Sequence, residues 1–261
     1  MPLSARDATP ADYAVFARLF PELKVPDPVL TQEEFEQRML PNTIIAEDGE
    51  PVGYAFWRFY GAMVHVSHVI VDPRAQRRGV GRFMMEEIRR RTLGKGSTRW
   101  YLNVKADNTP AIRLYERVGL SVEQRGWSMR VDWSALRTLE GSTGTWRFAP
   151  TLEEASRFAR ERGIDPERLA MFRARPGVVF AALRNDAGTC ALATFDPSFP
   201  SICPIAVIHP KHARPLFDAF LPHALHPYVR LCVDDEALVK ALVLCGAKVE
   251  WETLRMGASL L

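Results

Sequence analysis

Gln76-Arg77-Arg78-Gly79-Val80-Gly81 is the stretch of this chain whose residue types and order could do chemistry. It follows the apolar run Val69-Ile70-Val71 and precedes a segment in which Phe83, Met84, Ile88 and Leu93 recur at helical spacing. Glycine weakens a helix, so two glycines at a helix start need a reason. A tight turn is one. The other is a set of backbone amides converging on an anion, where the helix dipole adds a partial positive charge. Arg74, Arg77, Arg78 and Arg82 lie around the loop and could hold further phosphate. Arg89, Arg90 and Arg91 read instead as a solvated helix face. No Gly-x-x-x-x-Gly-Lys-Ser/Thr run exists, which excludes a Walker A loop. A dinucleotide fingerprint needs a third glycine where Met84 stands. A pyrophosphate cradle remains, without an indication of whose pyrophosphate.

The elements that must position this loop are legible from pattern. Thr9 and Pro10 open a helix over "TPADYAVFARLF", and Thr31 with Glu34 forms a capping box for "TQEEFEQRML". "NTIIAEDGEPVGYAFWRFY" reads as a hairpin turning at Glu-Asp-Gly, and "MVHVSHVIV" as a central strand. After the glycine loop and its helix come a strand, "TRWYLNV", a helix, "NTPAIRLYERVG", and a strand, "WSMRVDW", that closes the unit. Strands alternating with helices make an α/β unit. The polar stretch from Ser134 to Thr145, with Gly141 and Gly144, reads as a linker.

Beyond the linker the pattern returns. One constant shift sets Tyr101 on Tyr228, Asp107 on Asp234, Gly119 on Gly246, Glu123 on Glu250 and Met129 on Met256 without a gap. The expected organisation is therefore residues 1–135, a linker over 136–145, and a second copy over 146–261.

The chain has 261 residues, 47% hydrophobic and 25% charged, as in a folded globular protein. A net charge of +3 is too small to argue for nucleic acid. No apolar run is long enough to span a bilayer, and the N-terminus lacks a signal-peptide pattern, so a cytoplasmic protein is expected. Cys190, Cys203, Cys232 and Cys245 form no Cys-x-x-Cys pair. Reduced thiols, several of them buried as small apolar residues, are expected, with no metal site.

"VIVDPRAQRRGVGRFMMEEI" resembles motif A of the GNAT acyltransferases, Gln/Arg-x-x-Gly-x-Gly/Ala after a strand. Asn108, Ala111, Leu114 and Tyr115 resemble that family's Asn-x-x-Ala-x-x-Leu-Tyr segment at the expected distance. The similarity covers about residues 3–133. It implies a mixed central sheet flanked by helices, α/β (α+β) in class and duplicated in two domains. It also implies acetyl-CoA, or another acyl-CoA, as co-substrate. Gln76, Arg77, Arg78, Gly79, Val80, Gly81 and Arg82 would hold its pyrophosphate. Backbone of Val69, Ile70 and Val71 would bond its pantetheine like an added strand, with Asn108 near that arm.

The resemblance places Tyr115 near the sulfur. An amine that attacks a thioester expels a thiolate, and a phenol of pKa about 10 is suited to protonating it. The base is open. Many members of the family have a glutamate where Ser67 stands, and His65 and His68 beside it are candidates. The implied partners are the acyl-CoA and an amine-bearing acceptor, a small molecule ahead of a protein, with neither nucleic acid nor membrane, in a monomer or homodimer. The second copy departs from the pattern. "HPKHARPLFDAFL" lacks the glycine pair and puts Pro215 in the loop, Leu242 faces Tyr115, and Asp235 faces Asn108. A catalytic first copy and a degenerate second one are expected. The rival readings are a noncatalytic acyl-CoA-binding protein and an enzyme acetylating a small thiol.

Overall fold

The computed structural model describes residues 2–25 and 27–260. The chain divides into two compact units. One comprises the residues up to Glu123 together with those from Arg255 onward, and the other is Gln124–Leu254.

The first unit begins with β1 (Ser4–Asp7), a 3-10 turn (Pro10–Asp12), α1 (Tyr13–Leu19) and α2 (Gln32–Arg38). Then follow β2 (Thr43–Glu47), β3 (Pro51–Tyr60), β4 (Met63–Val71), α3 (Val80–Thr92), β5 (Arg99–Lys105), α4 (Thr109–Arg117) and the start of β6 (Ser121–Asp132). The local signals act as expected. The Thr31 hydroxyl accepts from the Glu34 amide, and the Glu34 carboxylate accepts from the Thr31 amide. Asn108 Oδ1 accepts from the Ala111 amide at the start of α4, and Gly119 leaves the helix at φ +92°. The sheet runs β1-β2-β3-β4-β5, antiparallel up to β4 and parallel between β4 and β5, so it is mixed. Phe16, Phe20, Phe35 and Met39 pack on Ile45, Tyr54, Phe56 and Ile70. Each such buried side chain contributes about 1.5–3 kcal/mol of burial free energy.

The second unit continues with α5 (Trp133–Leu136), β7 (Trp146–Phe148), α6 (Leu152–Glu161), α7 (Pro166–Arg173), β8 (Val179–Asn185), β9 (Gly188–Asp196) and β10 (Ser201–Val207). It ends with α8 (Ala213–Phe220), β11 (Tyr228–Val233), α9 (Glu236–Leu244) and β12 (Lys248–Ser259). Its strands run β6-β11-β10-β9-β8-β7, with β10 and β11 parallel. The constant shift that aligns the sequences also carries α4 onto α9 and β6 onto β12, element for element.

Four expectations need correction. "WSMRVDW" does not close the first unit: from Trp127 to Asp132 it pairs antiparallel with β11, Val233 to Tyr228. The end of β12 lies beside β5 instead, and the Leu260 amide bonds Thr98 O. The two strands occupy equivalent places in the repeat, so local pattern does not specify which ladder each one joins. Residues 136–145 are not a bare spacer either. Leu136 and Leu139 are buried in the second unit's core, and Arg214 donates to the carbonyls of Arg137 and Leu139. Pro215 is not in a loop but in the first turn of α8, where a missing N–H breaks no helical bond. Of the cysteines only Cys190 is buried; Cys203 and Cys245 are half-buried and Cys232 is exposed. β1, with 4 residues, is too short to show a sequence pattern.

Candidate active site

The loop between β4 and α3 is fixed at its start by Asp72. This buried carboxylate accepts from the Arg74 amide at 3.0 Å, from the Arg74 guanidinium at 2.9 Å and from Arg18 at 2.5 Å. Those arginines hold its pKa well below the ordinary carboxylate range. The backbone then turns left-handed twice, at Arg77 (φ +63°) and at Gly79 (φ +86°), which is the N-cap of α3. A non-glycine residue in that region costs about 1–2 kcal/mol, so the Arg77 conformation is strained. Such strain concentrates at functional sites.

The first helical bond of α3 runs from the Phe83 amide to Gly79 O. The amides of Val80, Gly81 and Arg82 precede it, without helical acceptors, at the positive end of the dipole. No side chain caps them. A Cβ added at Gly79 would have nothing within 4 Å, so the space in front of the turn is open. A Cβ at Gly81 would meet Leu114 of α4 at 2.9 Å, so that glycine serves helix packing. The arginines differ too. Arg78 pairs with Asp48 and Arg82 with Glu86, whereas exposed Arg77 has no ion-pair partner among the described residues. These features fit a pyrophosphate: unsatisfied amides, one uncommitted guanidinium and open space.

β4 and β5 pair only at Met63–Arg99, Val64–Trp100 and His65–Tyr101. Beyond His65 the strands run on, to Val71 and Lys105, without a shared ladder. The cause lies on the other side of β4. Trp57 faces Val66 and Phe56 faces His68, which leaves Ser67 as the extra residue of a β-bulge. A bulge bends its strand, and here β4 leaves β5. Val69, Ile70 and Val71 therefore lie on a strand edge open to an extended ligand, leading directly into the glycine turn.

The two histidines separate. His68 is enclosed by Phe20, Tyr54 and Phe56, with the Tyr54 hydroxyl 3.3 Å from its Nδ1. Burial, reinforced by the Arg58 charge, pushes its pKa down to about 3, so it stays neutral and holds a proton poorly. His65 stands at the point where the ladder ends. Its Nδ1 is 3.1 Å from Ser67 Oγ, which also accepts from Arg58 at 3.2 Å, and its Nε2 is 3.4 Å from Asn103 Nδ2. Its ring lies 4.9 Å from Tyr101. Asn103 can only donate there, so Nε2 is the acceptor and Nδ1–H points to Ser67. Pattern reading missed Arg58, Asn103 and Tyr101, because the strand register that sets Arg58 and Tyr101 opposite His65 relates residues far apart in sequence.

Tyr115 is buried on α4, and its hydroxyl has no hydrogen-bond partner among the described residues. Burial pushes its pKa up to about 12. The phenol stays protonated, a hydrogen-bond donor throughout the neutral range. Asn108 is exposed and its Oδ1 caps α4, leaving its amide group for other partners.

In the second unit, the 3-10 turn Pro210–His212 runs directly into α8 at Ala213. The equivalent turn of the first unit, Pro73–Ala75, is separated from α3 by Gln76–Gly79. The Gln76–Gly79 segment therefore has no counterpart before α8. Leu242 stands fully buried at the place of Tyr115, and Asp235 Oδ1 accepts from the Leu238 amide, as Asn108 does from Ala111.

Residues 11–120 match the acetyltransferase (GNAT) family model. Over 80 residues the chain is 29% identical to the [ribosomal protein bS18]-alanine N-acetyltransferase of Escherichia coli strain K12. That match covers 31% of this chain and 54% of the relative, so the chain spans about half the length of the curated protein it matches. The fold is similar to that of a GCN5-related N-acetyltransferase from Sphaerobacter thermophilus, with a TM-score of 0.68, 20% identity, and coverage of 99% of this chain and 96% of that one. It is also similar to a tandem GNAT protein from the clavulanic acid biosynthesis pathway, with a TM-score of 0.63, 14% identity, and coverage of 100% and 99%.

Proposed function

We propose that this chain, which contains a GNAT acetyltransferase domain over residues 11–120, transfers acetyl from acetyl-CoA to an amine. The observation that carries the reading is the open edge of β4 beyond His65, continuous with the strained, glycine-capped start of α3. Acetyl-CoA supplies an activated acyl group as a thioester. The residues of the first unit do the rest. The Val80, Gly81 and Arg82 amides and the Arg77 guanidinium bind the pyrophosphate. The backbone of Val69 to Val71 holds the pantetheine as an added strand, with the Asn108 amide beside it. Tyr115 donates its phenolic proton toward the departing sulfur.

Of the two histidines, His65 is the better base. Its Nε2 is an acceptor and its Nδ1–H is oriented by Ser67, whereas His68 sits among Phe20, Tyr54 and Phe56 with its pKa pushed down. His68 remains in the reading as a neutral side chain that shapes the acceptor side of the wedge. The second unit, lacking the cradle residues and a phenol, is assigned no acetyl-CoA. No helix among the described residues is long and apolar enough to cross a membrane.

The acceptor in this proposal is an amine, a small molecule ahead of a protein. The named activity of the curated relatives is on a protein alanine, so N-terminal peptides belong in the screen beside small amines. The test is release of free CoA from acetyl-CoA in the presence of small amines, N-terminal peptides and thiols. Turnover with an amine supports the reading. Turnover with thiols alone, or binding without turnover, would replace it by one of the two rivals.

A further inference from the structure

The second unit repeats the strand divergence and puts different chemistry at its apex. β10 and β11 pair only at Ser201–Arg230 and Ile202–Leu231. The next residues in the same register are Cys203 and Cys232. Pro204 follows Cys203 and lacks an N–H, and the β9 ladder skips from Ile202 to Ile205. Thr194 Oγ1 satisfies the freed Cys203 carbonyl at 2.6 Å. The two thiols lie within hydrogen-bonding reach of each other. Around the pair stand Arg168, whose guanidinium donates to Cys203 Sγ at 3.7 Å, together with Arg175 and Asp234.

We infer that Cys203 and Cys232 form a peroxide-reactive dithiol, with Cys203 as the attacking sulfur and exposed Cys232 as the resolving one. The electrostatics agree with the geometry. The Cys232 S–H donates toward the Cys203 sulfur, and Arg168 and Arg175 add positive charge against the opposing effects of burial and Asp234. The Cys203 thiol is thereby lowered below the ordinary thiol range, while Cys232 is raised and stays a thiol. Reactive cysteines have this character: a low pKa, access, and a resolving partner. A cation is the poorer occupant, since two guanidiniums face the sulfurs and no three His, Cys, Asp or Glu residues converge among the described residues.

In the first step the Cys203 thiolate attacks an oxygen of a hydroperoxide. The O–O bond breaks, the alkoxide or hydroxide leaves and takes a proton, and Cys203 becomes a sulfenic acid. In the second, the Cys232 sulfur attacks Cys203 Sγ, the S–O bond breaks, and water leaves with the Cys232 proton. Two thiols lose two electrons, and the peroxide becomes an alcohol (or water) and water. The product ties β10 to β11 where their ladder ends.

The test is exposure of the full-length reduced protein to hydrogen peroxide, alkylation of remaining thiols, and non-reducing peptide mapping by mass spectrometry. The expected result is a reductant-sensitive Cys203–Cys232 cross-link, with Cys190 and Cys245 recovered as alkylated thiols. Cys232→Ser should abolish the cross-link and leave Cys203 as sulfenic or sulfinic acid. Cys232→Ala should slow Cys203 alkylation at pH 7 about threefold, the lower thiolate fraction being partly offset by higher intrinsic nucleophilicity. A folded wild-type protein without the cross-link, or one in which Cys190 and Cys245 oxidise as fast as Cys203, overturns the inference.

Discussion

A Cβ placed on Gly81 would come within 2.9 Å of Leu114 Cδ2, whereas one placed on Gly79 would meet nothing within 4 Å. The two glycines of the loop thus serve different ends. Gly81 lets α3 approach α4, and Gly79 supplies a left-handed N-cap in front of open space. The variants should separate accordingly. Gly79→Ala strains the turn by about 1–2 kcal/mol and displaces the amides behind it, so calorimetry should show weakened acetyl-CoA binding in a folded protein. Gly81→Val should lower stability by about 1–3 kcal/mol through overpacking, and Leu114→Ala in that background should restore part of it. Unchanged affinity in folded Gly79→Ala would remove the loop from the binding site.

Tyr115→Phe keeps the packing volume and removes only the hydroxyl, which has no hydrogen-bond partner among the described residues to strand. Turnover should fall by roughly 10²–10⁴-fold with acetyl-CoA affinity nearly unchanged. Wild-type rates would make Tyr115 a core residue.

His65→Gln should lower kcat by about 10²-fold with acetyl-CoA affinity nearly unchanged. Ser67→Ala should lower it less, because Ser67 only orients the His65 ring, with Arg58 donating to the same hydroxyl. Wild-type turnover in a folded His65 variant would leave the proton to another group.

His68 makes a prediction about stability. Its pKa is about 3 when folded and about 6.5 when unfolded. Between these values the unfolded chain binds the extra proton, so stability is full above pH 6.5 and falls as pH falls toward 3. The slope approaches about 1.4 kcal/mol per pH unit at most. Asp12, held down to about 2 by Arg6, contributes its loss mainly below its ordinary value near 3.8, so the interval from pH 6 to 4.5 belongs to His68 together with His212, whose pKa is also lowered by burial and by His209. Denaturant unfolding of His68→Asn should show a flatter dependence there. An equal slope in the variant would contradict the buried neutral imidazole.

Titration calorimetry of the full chain with acetyl-CoA should give one site per chain, because the Gln76–Gly79 segment has no counterpart before α8. Residues 1–135 alone are not a fair test. They omit Arg255 and the residues beyond it, which complete the first unit, and they leave β6 without β11. Two equivalent sites would contradict the assignment of the second unit.

Much of this protein was legible in one dimension because its signals are local. A capping box is satisfied by residues three positions apart, as Thr31 and Glu34 show, and a left-handed helix N-cap needs a glycine, as at Gly79. The order of elements and the glycine-capped turn before α3 follow from such short-range rules. Tertiary structure decided the rest. The two strands stand at equivalent places of the repeat, so only the assembled sheet determines that β6 joins β11 and that the end of β12 joins β5. The Ser67 bulge is a mismatch between β3 and β4, absent from either strand alone, yet it opens the wedge and sends His68 into an aromatic cage while His65 meets Ser67 and Asn103. Cys203 and Cys232, far apart in sequence, become neighbours for the same reason: a parallel ladder brings together residues that no local spacing relates.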